Sequence, residues 1–198
     1  MVNDLVEKAF EEIDRADFVL PEYQEQVDLD IPLPIGEGQT ISQPTTVRLM
    51  LEWLDAKPGD KVLDIGSGSG WTCALLSKIV GPKGKIYAVE RIPKLKELGK
   101  KNCQNAGIKN AQFYLAGPVL GLPDFAPYDR ILVSAVAEEL PEELLDQLKD
   151  GGKLVVPIGN SIFEIKNLPA DATALQAGTK SGIQTLEHRG FVFVPLVY

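Results

Sequence analysis

The chain has 198 residues, 44% of them hydrophobic, which suits one globular domain with a sizeable core. Its net charge of −8 argues against a duplex nucleic acid as partner, because binding phosphates needs a positive surface. No apolar run is long enough to span a bilayer, and the start, "MVNDLVEKAFEEID", lacks the basic and apolar regions of a secretory signal. A cytoplasmic protein without a membrane partner is expected.

In chain order, Leu5, Val6, Ala9, Phe10 and Ile13 recur at helical spacing and predict an amphipathic first helix. The stretch "LPEYQEQVDLDIPLPIGEGQTISQP" is rich in Pro, Gly and polar residues and is too long for an ordinary connection; such loops are usually functional or disordered. A helix is expected from about Thr45 to Ala56, stopped by "KPGD". From there, strand-like runs ("KVLDI", "KIYAVE", "AQFYLA", "DRILVSA", "GKLVVPI") alternate with helix-like runs over Trp71 to Val80, Pro93 to Ala106 and Pro141 to Leu148. Val, Ile and Leu dominate the strands, as in a parallel sheet covered on both faces. The tail differs: "SIFEIKN" and "IQTLEHRGFVFVPLVY" have no helix between them and read as an antiparallel pair at the sheet edge. The two cysteines, Cys73 and Cys103, form no CxxC pair and fall in predicted helices, where reduced core thiols are the ordinary reading.

The segment "VLDIGSGSGWTCALL" reads as a buried strand, a glycine-rich turn and the start of a helix. In a parallel α/β sheet ligands sit beyond the carboxyl ends of the strands, so this turn is the candidate site. A dinucleotide fingerprint needs its last glycine at position 71, which is Trp71; a P-loop needs Gly-Lys-Ser/Thr, which does not follow. What stands here is Asp64, Gly66, Gly68 and Gly70, with Ile65 and Ser67 between. An acid at the end of the next strand, Glu90, with Arg91 after it, could accept from both hydroxyls of a ribose.

This D-x-G-x-G-x-G spacing resembles motif I of the S-adenosylmethionine-dependent methyltransferases, in which an acid meets the cofactor's ammonium group. "PLPIGEGQTIS", "KPGDKVLDIGSGSGW", "GKIYAVERIPKL", "LGLPDFAPYDRILVSA", "LLDQLKDGGKLVVPIG" and the terminal "FVFVPL" resemble, more narrowly, the protein-L-isoaspartate O-methyltransferases. The resemblance covers most of the chain from about Pro32. It implies a Rossmann-like methyltransferase fold: a doubly wound, mostly parallel sheet of seven strands with an antiparallel C-terminal edge. One domain over 1–198 is implied, with an N-terminal and substrate-loop region (1–43), a cofactor-binding core (44–160) and a C-terminal strand pair (161–198). It also implies a monomeric repair enzyme that methylates the free α-carboxylate of L-isoaspartyl residues in peptides and proteins. Carried over by motif, Ser42 is the active-site serine, with Gln39, Thr40 and Ile41 beside it; Ala116 and Gly117 stand where the adenine is held. No metal is called for.

Ser42 also has a plain structural reading, as the cap of the helix that starts near Thr45. The chain departs from the family pattern in two places. Gln43, Pro44, Thr45, Thr46 and Val47 replace an Ala-Pro-His run and its second histidine, and Gly117 stands in place of an aspartate. These departures keep two rival readings in view: a carboxyl methyltransferase with a different peptide acceptor, and a cofactor-binding relative without activity.

Overall fold

In a computed structural model of the protein, residues 4–168 and 182–192 are described. Helix α1 (Asp4–Glu12) and two short 3-10 turns (Arg15–Phe18 and Pro21–Gln26) lead into a hairpin of β1 (Leu33–Gly36) and β2 (Gln39–Ile41). The long polar stretch, expected to be a functional or disordered loop, therefore contains a hairpin and short 3-10 turns. Helix α2 (Pro44–Leu54) follows. It ends at Asp55, whose left-handed backbone turns the chain into β3.

The core is β3 (Lys61–Ile65), α3 (Trp71–Val80), β4 (Lys85–Glu90), α4 (Pro93–Asn105), β5 (Ala111–Leu115), β6 (Tyr128–Val133), α5 (Glu142–Leu145), β7 (Leu148–Ile158), β8 (Ser161–Asn167) and β9 (Ile183–Arg189). The sheet runs β5-β4-β3-β6-β7-β8-β9. The first five of these strands are parallel neighbours, while β8 and β9 are antiparallel additions at one edge. The remainder of the last predicted run, 193–198, lies outside the described residues.

Strand alternation explains the two-faced core. On β3, Val62 packs into the layer with α1 to α4, while Leu63 packs on the other side with Tyr128, Leu144 and Leu148. Both layers exclude water, so Val62, Leu63 and Ile65 of one strand are all apolar. The chain order reverses at β3, with β4 on one side and β6 on the other, and the crevice above that point is where open α/β sheets bind ligands.

One element is shorter than its periodicity predicts. The run from Pro141 to Leu148 is helical only over Glu142–Leu145. Leu148 instead pairs with Tyr128 in the ladder, and the Gln147 side chain is drawn inward to bond Leu120, Leu122 and Glu143. Tertiary bonds override a good helical pattern there.

Candidate active site

A cleft of about 210 Å³ opens above the carboxyl ends of β3, β4 and β6. The β1–β2 hairpin forms one wall with Ile35, Gln39 and Thr40. The floor is Ile65, Gly66 and Gly68; the far wall is Val89 to Ile92 and Leu95, and Ala116, Gly117 and Leu120 close the end. A smaller recess of about 40 Å³ adjoins it and shares Ile35, Thr40, Gly66, Gly68 and Ser134. Ile41, Ser42, Ser67 and Trp71 line the recess.

Glu90 is held before any ligand arrives. Its Oε2 accepts from the Gly68 N–H and its Oε1 from the Ile92 N–H, each at 2.9 Å. A carboxylate oxygen takes more than one donor, so each keeps acceptor capacity toward the cleft. The residue is only 7% exposed and lines the cleft, which suits a pair of neighbouring hydroxyls.

Asp64 lies one layer deeper. Its carboxylate is fully buried, and Oδ2 accepts from the Thr72 hydroxyl (2.6 Å) and the Cys73 thiol (2.9 Å). Burial raises its pKa above the ordinary carboxylate value; these donors and the Ser134 hydroxyl compensate in part, and the Glu90 charge adds to the rise. Asp64 therefore lies beneath the turn and lines neither cavity, a correction to its expected place on the cleft wall, while its Oδ1 is buried without a partner.

Gly70 is corrected likewise. It lines neither cavity, and a Cβ there would stand 2.8 Å from the Gly99 carbonyl oxygen, so its glycine serves the packing of α3 against α4. Gly66 and Gly68 line the cleft, and Gly68 also meets the hairpin. Its φ is +51°, and a Cβ would press on Ile35 Cδ1 at 3.0 Å.

Ser42 does not cap α2. Gln43 occupies the cap position, and the donor inside the helix, the Thr45 N–H, bonds to Asp30 Oδ1 at 2.8 Å. The Gln43 side chain donates to Asp30 Oδ2 at 2.9 Å and accepts from Thr46 at 3.4 Å. Ser42 is thereby left facing the recess.

The structure thus gathers Gln39, Thr40, Ile65, Gly66, Gly68, Glu90, Arg91, Ala116 and Gly117 around the cleft, and Ile41, Ser42 and Ser67 around the recess. Sequence reasoning missed Ser134, Ala135, Leu120 and Gly121. The first two follow β6 directly, so the strand-end rule applied to "ILVSA" would have found them. The other two depend on Gln147, which no local pattern connects to them.

An acid-ended strand beside a glycine turn, apolar walls for a base and no phosphate-binding lysine fit S-adenosylmethionine. Gly66 and Gly68 leave the backbone open to the ligand, and Ser67 keeps a buried hydroxyl without a partner beside it. Residues 1–197 match the family described as Protein-L-isoaspartate(D-aspartate) O-methyltransferase (PCMT).

The chain is 43% identical over 195 residues to the protein-L-isoaspartate O-methyltransferase of Pyrococcus horikoshii, covering 98% of this chain and 86% of that one. It is 41% identical over 198 residues to that of Methanosarcina mazei, covering 100% and 78%. A solved protein-L-isoaspartate O-methyltransferase superposes with a TM-score of 0.85 at 32% identity, covering all of this chain and 62% of the other. A Plasmodium falciparum structure described as a putative member, in complex with S-adenosyl-L-homocysteine, superposes with a TM-score of 0.80 at 25% identity, covering 100% and 92%.

Fold and cleft together define a class I, S-adenosylmethionine-dependent methyltransferase. Within that class, the chain belongs to the protein-L-isoaspartate(D-aspartate) O-methyltransferase family.

Proposed function

We propose that the chain repairs damaged proteins by methylating the free α-carboxylate of L-isoaspartyl residues, with Ser42 holding that carboxylate and Glu90 holding the donor's ribose. When bound, S-adenosylmethionine supplies a methyl group on a positively charged sulfur. The acceptor is ionised at neutral pH, with an unperturbed pKa of roughly 3.5, so the protein has no proton to remove. Its work is orientation and exclusion of water. The ester product would then collapse through a succinimide toward aspartate.

The observation that carries this reading is the adjacency of the two cavities, which share part of their walls. Glu90 stands in the larger one and Ser42 in the smaller, and Thr40, Gly66 and Ser134 wall both. A donor lying along the glycine turn would point its reactive end at the recess. Among the described residues, the recess has no charged base on its wall, which suits an acceptor that arrives deprotonated.

A carboxyl methyltransferase with another peptide acceptor is the second reading, motivated by the run from Gln43 to Val47. That run is turned inward: Gln43, Thr45 and Thr46 bond to Asp30 or to each other, and Val47 alone reaches the recess. It presents no new polar group to an acceptor. Radiolabelled methyl transfer to an isoaspartyl peptide and to its normal-aspartyl twin tests the choice. The expected result is strong preference for the isoaspartyl form; equal labelling overturns it. We infer a cytoplasmic enzyme, with which two buried free thiols, Cys73 and Cys103, are compatible.

A further inference from the structure

We propose that Arg15 is the positioning residue of the acceptor end of the cleft: its guanidinium gathers four carbonyls of the segment from Val27 to Ser42 and so fixes where the Ser42 hydroxyl stands. The inference rests on the assignment of Ser42 to the acceptor carboxylate.

Arg15 opens the first 3-10 turn and is 6% exposed. Its Nη1 donates to the carbonyls of Val27 (3.0 Å) and Leu29 (3.2 Å). Its Nη2 donates to those of Ile31 (2.8 Å) and Ser42 (3.3 Å). The guanidinium carbon lies 5.4 Å from the centroid of the Trp71 ring, which itself lines the recess.

A buried cation is ordinarily matched by a carboxylate. Here no ion pair to Arg15 exists among the described residues, and Asp30 acts on it only through space. The matching groups are backbone carbonyls from two separate places, alternate residues of an irregular stretch and the residue that ends the hairpin. A guanidinium alone has the forked donors to reach all four at once; a lysine ammonium is a compact charge with three. The Ser42 carbonyl and the Trp71 ring are therefore referenced to one rigid group. That couples the N-terminal segment to the wall of the recess, with no contact to the cofactor's ribose or base.

The test is Arg15→Lys and Arg15→Ala in the full chain, with Ser42→Ala beside them. Steady-state kinetics on an isoaspartyl peptide are normalised to the number of S-adenosylhomocysteine sites found by calorimetry, which counts only folded molecules. Arg15→Lys should lower kcat/KM for the peptide by about tenfold or more, while the dissociation constant for S-adenosylhomocysteine stays near wild type. Guanidinium ion at millimolar concentration should restore part of the Arg15→Ala activity, and methylammonium should not. Losses in the Arg15→Lys, Ser42→Ala double variant should be less than the product of the single losses.

A normalised kcat/KM unchanged in Arg15→Lys, with only the melting temperature lowered, overturns the proposal. If Arg15→Ala binds no S-adenosylhomocysteine, the lysine variant decides. Loss in Arg15→Lys with full activity in Ser42→Ala overturns the assignment of the serine to the acceptor, and this proposal with it.

Discussion

The ammonium of Lys94, in the first turn of α4, stands 2.8 Å from the carboxylate of Glu37 at the tip of the β1–β2 hairpin, 57 residues away in sequence. The hairpin supplies Ile35, Gln39 and Thr40 to one wall of the cleft, and the residues leading into α4 supply Arg91 and Ile92 to the other. The ion pair therefore ties the two walls together across the mouth. Hydrogen bonding to Glu37 raises the Lys94 pKa above its ordinary value.

Breaking this tie should speed ligand release. Lys94→Met or Glu37→Gln is expected to raise the dissociation rate of S-adenosylhomocysteine by about two- to fivefold, the range for an exposed pair. The effect should shrink at high salt, because both groups are screened by solvent. Stopped-flow displacement at low and high ionic strength measures it. An unchanged rate at low salt means the hairpin does not need to move for release.

Ser42→Ala should lower methyl transfer while leaving the fold and cofactor binding nearly intact. The lost interaction is a hydrogen bond to a carboxylate, worth about 1.5–3 kcal/mol, or roughly ten- to a hundredfold in rate. Since Asp30 and not Ser42 bonds the first turn of α2, the melting temperature should stay close to wild type. Asp30→Ala should do the reverse at the level of stability and lower the melting temperature by a few degrees. Melting curves for the two variants, read beside their rates per folded molecule, separate the roles. A Ser42→Ala protein that melts early and keeps its rate would make the serine structural.

Glu90→Ala should weaken S-adenosylmethionine binding more than any other single carboxylate change outside the glycine turn. Two effects add. The ribose hydroxyls lose an acceptor, and the N–H groups of Gly68 and Ile92 lose theirs, at about 1–3 kcal/mol for each buried donor left unpaired. The variant should therefore also be less stable without ligand. Glu90→Gln keeps the shape but turns an amide NH2 toward one of two N–H donors, so it should fall between wild type and alanine in affinity. Calorimetric titration of the three proteins orders them; equal affinities would mean that β4 does not hold the donor.

The parts of the fold that were legible in the sequence are those where local pattern and packing agree. The runs that became β3, β4 and β6 are apolar at successive positions because both faces of the sheet are covered, and the glycine spacing marks the turn above them. Glu90 was legible because its place at a strand end has a chemical reason.

What escaped notice was decided by distant contacts. Asp64 reads as a cleft-wall residue by position, yet it lies buried beneath the turn, its Oδ2 bonded to Thr72 and Cys73. Leu120 and Gly121 reach the cleft because Gln147 holds that loop from 25 residues away. Arg15 left only one trace, as one of two basic residues among the first 47. Nothing local says that such a residue will be buried beneath carbonyls.

Gly117 offers the sharpest test of how the adenine end is built. The family places an aspartate there, and this chain holds Ala116, Gly117 and Pro118. Ala116 bonds its N–H to the Glu90 carbonyl at 3.0 Å, so the segment is anchored to the strand that ends in Glu90. A Cβ at Gly117 would have nothing within 4 Å, and its backbone is not in the left-handed region, so a side chain enters without strain. Gly117→Asp should therefore fold as well as wild type and place a carboxylate at the end of the cleft, where it can accept from the base. One such bond is worth about 0.5–1.5 kcal/mol, approaching 3 with a charged acceptor, or about tenfold in affinity. The wild-type protein should still bind S-adenosylmethionine, because Glu90, the glycine turn and the apolar walls of Val89, Ile92 and Leu120 remain. Titration of both proteins with S-adenosylmethionine measures the difference. Equal affinity would place the base away from Gly117, and no wild-type binding at millimolar cofactor would mean that the missing aspartate had silenced the site.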